Sequence, residues 1–263
     1  MTLLDTRGIP RALFASGAGL RARLEGWDAG IRGPVGSVRR IGFLQLEPGV
    51  GATTLARETL RIVAERRTDP PLAVDVTADG ALAAHLGADV TPPSDRRAYA
   101  RTSADATAGL SRGPDGAFVL RPSGTQTDAT GAWLDEAAPI SRFFDIAITD
   151  FGPRHPTVDM AAAAALCDVV CLVSSAERGA AELSRSLAGA VTGLPERPRV
   201  VLALSDLSGT ARRAPEAVAA HSPDPVVRIP RDRSLAAGAA ARSLRARIAL
   251  LELTAALVAG GTA

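Results

Sequence analysis

Short apolar runs alternate with longer amphipathic ones along most of the chain. The runs RIGFLQL, LAVDV, AFVLRP, FFDIAITD, DVVCLVSS, PRVVLALS and DPVVRIP have the length and apolar density of buried strands. TTLARETLRIVAERR, DGALAAHLG, DMAAAAAL, ERGAAELSRSLAGAV and SLRARIALLELTAALVA carry helical patterns between or after them. This alternation predicts an α/β fold: a mostly parallel twisted sheet of about seven strands, all but one parallel to the first, with helices on both faces. In the last helix Leu244, Ile248, Leu251 and Leu257 fall at core-facing spacings. That leaves Arg242, Arg245 and Arg247 on a solvated edge, a simpler reading than a DNA- or membrane-binding patch.

Two stretches break the alternation. Residues 1–37 are rich in Arg and Gly and end in GIRGPVGSV, which reads as a linker or loosely docked arm ahead of an ordered domain at 38–263. Residues 88–114 are polar and turn-rich and predict short helices or an exposed flap.

At 263 residues the chain suits one domain. Its net charge of +2 is too small to indicate nucleic-acid binding, which stays weakly supported. The basic residues are all arginine, and asparagine is absent. Cys167 and Cys171 lie within an apolar strand and read as core thiols. His85, His155 and His221 are dispersed without metal-ligand spacing, and Ser123, Ser141 and Ser174 lack a nucleophile-elbow context. The first residues have no signal-peptide core and no uncharged run reaches the ~18 residues of a membrane span, so the expected location is cytoplasmic, with at most peripheral membrane contact.

The candidate chemistry sits in LEPGVGATTLA, between the first strand and the first helix of the alternation. Gly49, Val50, Gly51, Ala52, Thr53 and Thr54 occupy the place of a phosphate-binding loop. Such a loop needs glycines so that backbone N–H groups can curl around phosphates, and a lysine to neutralise them; the lysine position holds Ala52. Thr53 stands where a hydroxyl would hold Mg²⁺, and Asp150 ends a distal apolar strand as the matching carboxylate.

Four segments in order then resemble the MinD/ParA family of deviant P-loop ATPases, and within it the branch associated with actinobacterial type VII secretion. EPGVGATT is similar to the family's KGGVGKTT, VDVTADG to its switch segment, DIAITDFGP to its DxxxxDxxP, and IPRDRSLAAG to its IPxDxxLAxG. The resemblance spans about residues 38–258. It implies a nucleotide site at Gly49–Thr54, a metal set of Thr53, Asp75 and Asp150, and an adenine-side wall at Pro230 and Arg231. It also implies losses. The family's cross-dimer lysine, phosphate lysine and water-positioning aspartate fall on Glu47, Ala52 and Thr77, so no catalytic residue is retained, and Pro48 removes one N–H donor. Arg39, Arg40 or a partner's arginine could supply the missing cation, and Asp79 lies one short step after Thr77.

The resulting expectation is a pseudo-ATPase that binds ATP or ADP with Mg²⁺ weakly or not at all. It would act as a protein-binding or positioning module, accessory to type VII secretion, with a secretion component or a second copy of itself as partner. Two alternatives are an atypical active ATPase that dimerises around ATP-Mg²⁺ and a nucleotide-dependent DNA- or membrane-positioning protein.

Overall fold

The computed structural model describes residues 17–124, 128–156, 158–209 and 213–259. All seven expected strands form: β1 (Arg39–Gln45), β2 (Leu72–Asp75), β4 (Phe118–Leu120), β5 (Ile146–Pro153), β6 (Val169–Ser175), β7 (Arg199–Ser205) and β8 (Val226–Ile229). An eighth, β3 (Ser111–Arg112), is added at the edge. The sheet order is β3-β4-β2-β5-β1-β6-β7-β8, with β1 at the point where the order reverses. All seven expected strands are mutually parallel, where one of them was expected not to be; the antiparallel strand is the unexpected short β3 beside β4. Two residues carry no periodicity, so β3 had no signal in the sequence.

The central strands are apolar on both faces because helices cover both. Along β6, Val169, Cys171 and Val173 enter one core while Val170 and Leu172 enter the other; β7 divides in the same way. On the first face lie α1 (Gly17–Arg32), α2 (Ala52–Arg66), α3 (Ala81–His85), α11 (Arg233–Ala236) and α12 (Leu244–Val258). The second face is covered by α8 (Met160–Ala165), α9 (Arg178–Thr192), α10 (Arg213–His221) and a helical stretch. That stretch comprises α6 (Ala129–Ala132), a π turn (Trp133–Ala137) and α7 (Ala138–Ser141). The region 88–114 holds α4 (Asp95–Ala98) and α5 (Ser103–Ala106), short as expected. Both cysteines are free and fully buried in the core, and burial pushes their thiols up. No helix among the described residues is long and apolar enough to cross a membrane.

Two expectations differ from the fold. In α12, Leu257 is buried, but Ile248 and Leu251 are only half-buried and Leu244 is 67% exposed. The inner face is instead Ala246, Ala249, Leu250, Leu253 and Val258. Small alanines let this helix lie close to the sheet, so the largest side chains do not mark its core face. The second difference is the arm. Residues 1–16 lie outside the described residues, but residues 17–32 form α1, which packs on α12 and α2. Ile31 is fully buried in the core; Asp28 pairs with Arg66, and Arg67 donates to the Ile31 and Gly33 carbonyls. The Gly-Pro-Gly segment is therefore a short connection from a docked helix into β1.

This packing predicts that α1 contributes to stability. Ile31→Ala should destabilise the fold by about 2–5 kcal/mol through lost burial and an unfilled cavity. The measurement is the urea midpoint, and truncation through Arg32 should lower it further; an unchanged midpoint in both would mean that α1 is not part of the core.

Candidate functional site

β1 ends at Gln45 and α2 starts at Ala52, and the turn between them reverses through two left-handed glycines, Gly49 at φ 81° and Gly51 at φ 94°. Side chains rarely adopt that backbone, which is why glycine stands at both. Gly51 is the N-cap of α2 and offers no side-chain cap, so the first N–H groups of a 15-residue helix are presented at the strand ends. Such an end favours an anion. The loop is held from β6: Leu46 N–H donates to the Val173 carbonyl at 3.3 Å, and Ser175 N–H donates to Glu47 Oε1 at 3.0 Å. The Glu47 carboxylate, expected to repel a triphosphate, is thus engaged at the end of β6. Ala52 is fully buried in the core beneath the loop.

Asp150 sits on β5 in register with Asp75 on β2. It is fully buried; its Oδ1 accepts from Gly152 N–H at 2.9 Å, while Oδ2 has no hydrogen-bond partner of ordinary geometry. Burial pushes its carboxyl up to about 7, and the charges of Asp75 and Asp79 add to this. The Thr53 hydroxyl and Gly152 N–H act in the opposite direction. A buried carboxylate oxygen without a donor, beside the threonine of the loop, fits a divalent cation such as Mg²⁺.

Asp75 behaves differently from its expected metal role. Its Oδ1 accepts from Thr77 N–H at 3.0 Å and Thr77 Oγ1 at 2.6 Å, and its Oδ2 from Ala83 N–H at 2.7 Å. Thr77 Oγ1 in turn accepts from Gly80 N–H at 3.0 Å. These bonds make Asp75 and Thr77 the staple that turns β2 into α3.

A cleft of about 310 Å³ opens beside the loop. Gly49, Val50, Gly51, Thr54 and Leu55 form one wall, and Pro230, Arg231 and Leu235 the other, with Ser205, Asp206 and Leu207 between them. Of the expected residues, Gly49, Val50, Gly51, Thr54, Pro230 and Arg231 line this one cavity, whereas Ala52 and Thr53 do not. The floor from β7 was not anticipated, although the rule that ligands bind at strand C-terminal ends would have pointed to ALSDLSG. The floor and the Pro230–Arg231 wall are each stapled by a carboxylate. Asp206 accepts from Gly209 N–H at 2.7 Å and pairs with Arg228. Asp232 caps α11 through Ser234 and Leu235 N–H, and accepts from Arg242 and Ser243 N–H with its other oxygen. The Ser243 bond is the largest cause holding the Asp232 carboxyl down at about 2. Arg57 on α2 donates to the Gly238 and Ala239 carbonyls, tying the phosphate-loop helix to this wall.

The suggested replacement cations are not at the site. Arg39 and Arg40 begin β1, at the opposite end of the strand from the loop, and Arg40 pairs with Asp168 at 2.7 Å. Among the described residues no group of three or more His, Cys, Asp or Glu is placed to hold a metal, so a cation here would need phosphate or water oxygens besides Thr53 and Asp150.

A parallel sheet with its reversal at β1, a two-glycine turn there and an uncapped helix N-terminus together define a P-loop nucleotide-binding fold. No protein-family model matches the chain, and no curated protein matches it in sequence. Solved structures do match, and they make the class more specific. The ParA family ATPase from Chlorobium tepidum superposes with a TM-score of 0.63 at 16% identity, over 83% of this chain and 98% of that one. The Pyrococcus furiosus cell division ATPase MinD gives 0.61 at 18%, over 81% and 97%. Cobyrinic acid a,c-diamide synthase from Mycobacterium smegmatis, with bound ATP analog and magnesium, gives 0.57 at 20%, over 82% and 92%. The chain therefore has the fold of the ParA and MinD P-loop ATPases.

Asp150 gives the site a pH signature. With a folded value near 7 against an ordinary 3.8, the folded state favours the neutral acid, so stability falls as pH rises from 3.8 to about 7 and levels off above. Asp150→Asn should remove that slope and raise the melting temperature at pH 8 relative to the parent, with no gain below pH 4. Parallel pH slopes in the two proteins would show that Asp150 is ionised throughout.

Proposed function

We propose that this chain is a ParA/MinD-like nucleotide-binding positioning protein that has given up ATP turnover. The observation that carries the reading is the contrast within one cleft. The glycine turn, the uncapped α2 N-terminus and the Pro230–Arg231 wall border one cleft, whereas the position read as phosphate-neutralising is the buried methyl of Ala52. Phosphoryl transfer depends almost wholly on positioning and on neutralising the oxygens, so an unneutralised cradle supports binding before it supports chemistry.

The residues that would hold Mg²⁺-nucleotide are the N–H groups of Gly49–Thr54 for phosphate, Thr53 and Asp150 for the cation, and Pro230 and Arg231 beside the base. When bound, the cation would neutralise part of the phosphate charge. Asp75 contributes by shaping the loop that carries Thr77. A positioning protein works through a partner, and the Aquifex aeolicus MinD structure in complex with MinC illustrates that mode. We assign this chain a protein partner or a second copy of itself. The type VII secretion context rests on the sequence motifs.

A working ATPase with a borrowed cation is the second reading, favoured by the unpartnered Asp150 Oδ2. The two separate in one set of measurements. Losing one partner of a desolvated charge pair costs about 2–5 kcal/mol. A micromolar site is thereby weakened to about 100 μM or beyond. Calorimetry with Mg-ATP should give that range, with phosphate release no faster than in buffer. Ala52→Lys, checked for folding by its melt, should tighten binding at least about tenfold. Thr77→Asp should not restore turnover, because it sets a second carboxylate against Asp75 and breaks the β2–α3 staple. Low-micromolar binding or Asp150-dependent hydrolysis by the unmodified protein would overturn the pseudo-ATPase reading.

A further inference from the structure

A second cavity, of about 520 Å³, lies away from the nucleotide cleft on the face of the sheet opposite α2, between α9 and α10. Its volume is in the range of ligand and peptide-side-chain pockets. The way the two helices are set explains its chemistry. α9 is drawn onto β6 by the buried bond from Ser184 Oγ to Ser174 Oγ at 2.6 Å, so Arg178, Glu182 and Arg185, at helical spacings of four and three, line its outer side. α10 faces them with Arg213 at its first turn and Ala214, Ala217 and Val218 along the floor.

The charge is unbalanced. Arg178 is paired with Glu182 at 2.8 Å, whereas Arg185 and Arg213 have no ion-pair partner among the described residues. A groove with two uncompensated guanidinium groups above an apolar floor calls for an occupant that is both anionic and apolar. Carboxylates suit the fork of an arginine, and a short aliphatic side chain suits the alanine and valine floor. A nucleic-acid backbone matches less well, because its phosphates and sugars offer no aliphatic group to Ala217 and Val218; Glu182 is already paired with Arg178 and does not separate the two anions.

We infer that the α9–α10 groove is a docking site for an acidic, leucine-bearing segment of a partner protein, held by Arg185 and Arg213 and seated on Ala217 and Val218. This site is independent of nucleotide, so its test needs none.

The full-length protein would be titrated, at low ionic strength, into a fluorescein-labelled peptide of Asp, Glu and Leu residues. Parallel arms use a peptide with the acids replaced by lysine and a labelled single-stranded oligonucleotide, all followed by anisotropy. The acidic peptide should bind more tightly than either control. Arg185→Glu with Arg213→Glu should weaken it about tenfold or more, since attraction becomes repulsion. The exposed Arg101→Glu, on another part of the surface, should leave it unchanged. Because the double variant could fold poorly, the exposed Ala217→Glu supplies a separate test: it blocks the floor and should weaken the peptide to a similar degree. The inference is overturned if the acidic peptide does not bind, or if it binds folded double-reversal or Ala217→Glu protein as it binds the parent. Tighter binding of the oligonucleotide, lost in the same variants, would overturn it in favour of a nucleic-acid surface.

Discussion

A parallel sheet releases every strand at the same edge, and each departing chain has buried N–H groups that no neighbouring strand can satisfy. The C-terminal edge of this sheet is organised around that demand. Asp75 after β2, Asp206 after β7 and Asp232 after β8 each turn carboxylate oxygens onto backbone N–H groups of the loop that follows. The loops of Asp206 and Asp232 also line the cleft beside the β1–α2 turn, so part of its shape follows from how those strand ends are satisfied. Asp150 is the exception. It accepts one N–H and leaves its other oxygen without a hydrogen bond of ordinary geometry.

The phosphate loop obeys the same logic with different means. At β1 there is no carboxylate staple; two left-handed glycines reverse the chain and leave the helix N–H groups uncommitted. Glu47 then performs the stapling from the other direction, accepting the Ser175 N–H at the end of β6. Glu47 is thereby a structural link between adjacent loops. Ala52 follows the pattern: a position that would carry a charge into the cradle now packs beneath it.

Thr77 shows how such losses become coupled. Its hydroxyl bridges Asp75 and the Gly80 N–H, so the threonine gives a hydrogen-bonded turn at a position where the resembling motif has a carboxylate. Restoring the carboxylate would place two buried negative groups together, and the turn would lose what now holds it. Residues that read as separate departures from a motif are neighbours in one hydrogen-bonded system.

Periodicity was sufficient for the existence of the seven strands, the main covering helices and the placing of LEPGVGATTLA between strand and helix, because these depend on local alternation and on backbone-permissive glycines; it did not give the direction of every strand. That Gly49, Val50, Gly51 and Thr54 share a cleft with Pro230 and Arg231 was implied only by the resemblance of the motifs. What the sequence left open depends on contacts between distant residues. The docking of α1 follows from Ile31 reaching a core built by α2 and α12, beyond a glycine-proline segment that reads as a break. The inner face of α12 is chosen by how close its alanines allow it to approach the sheet, which hydrophobic spacing does not encode. The partners of Glu47 and Asp75 are backbone N–H groups on other loops, and only tertiary structure brings a carboxylate to one of those, because every residue but proline offers the same donor.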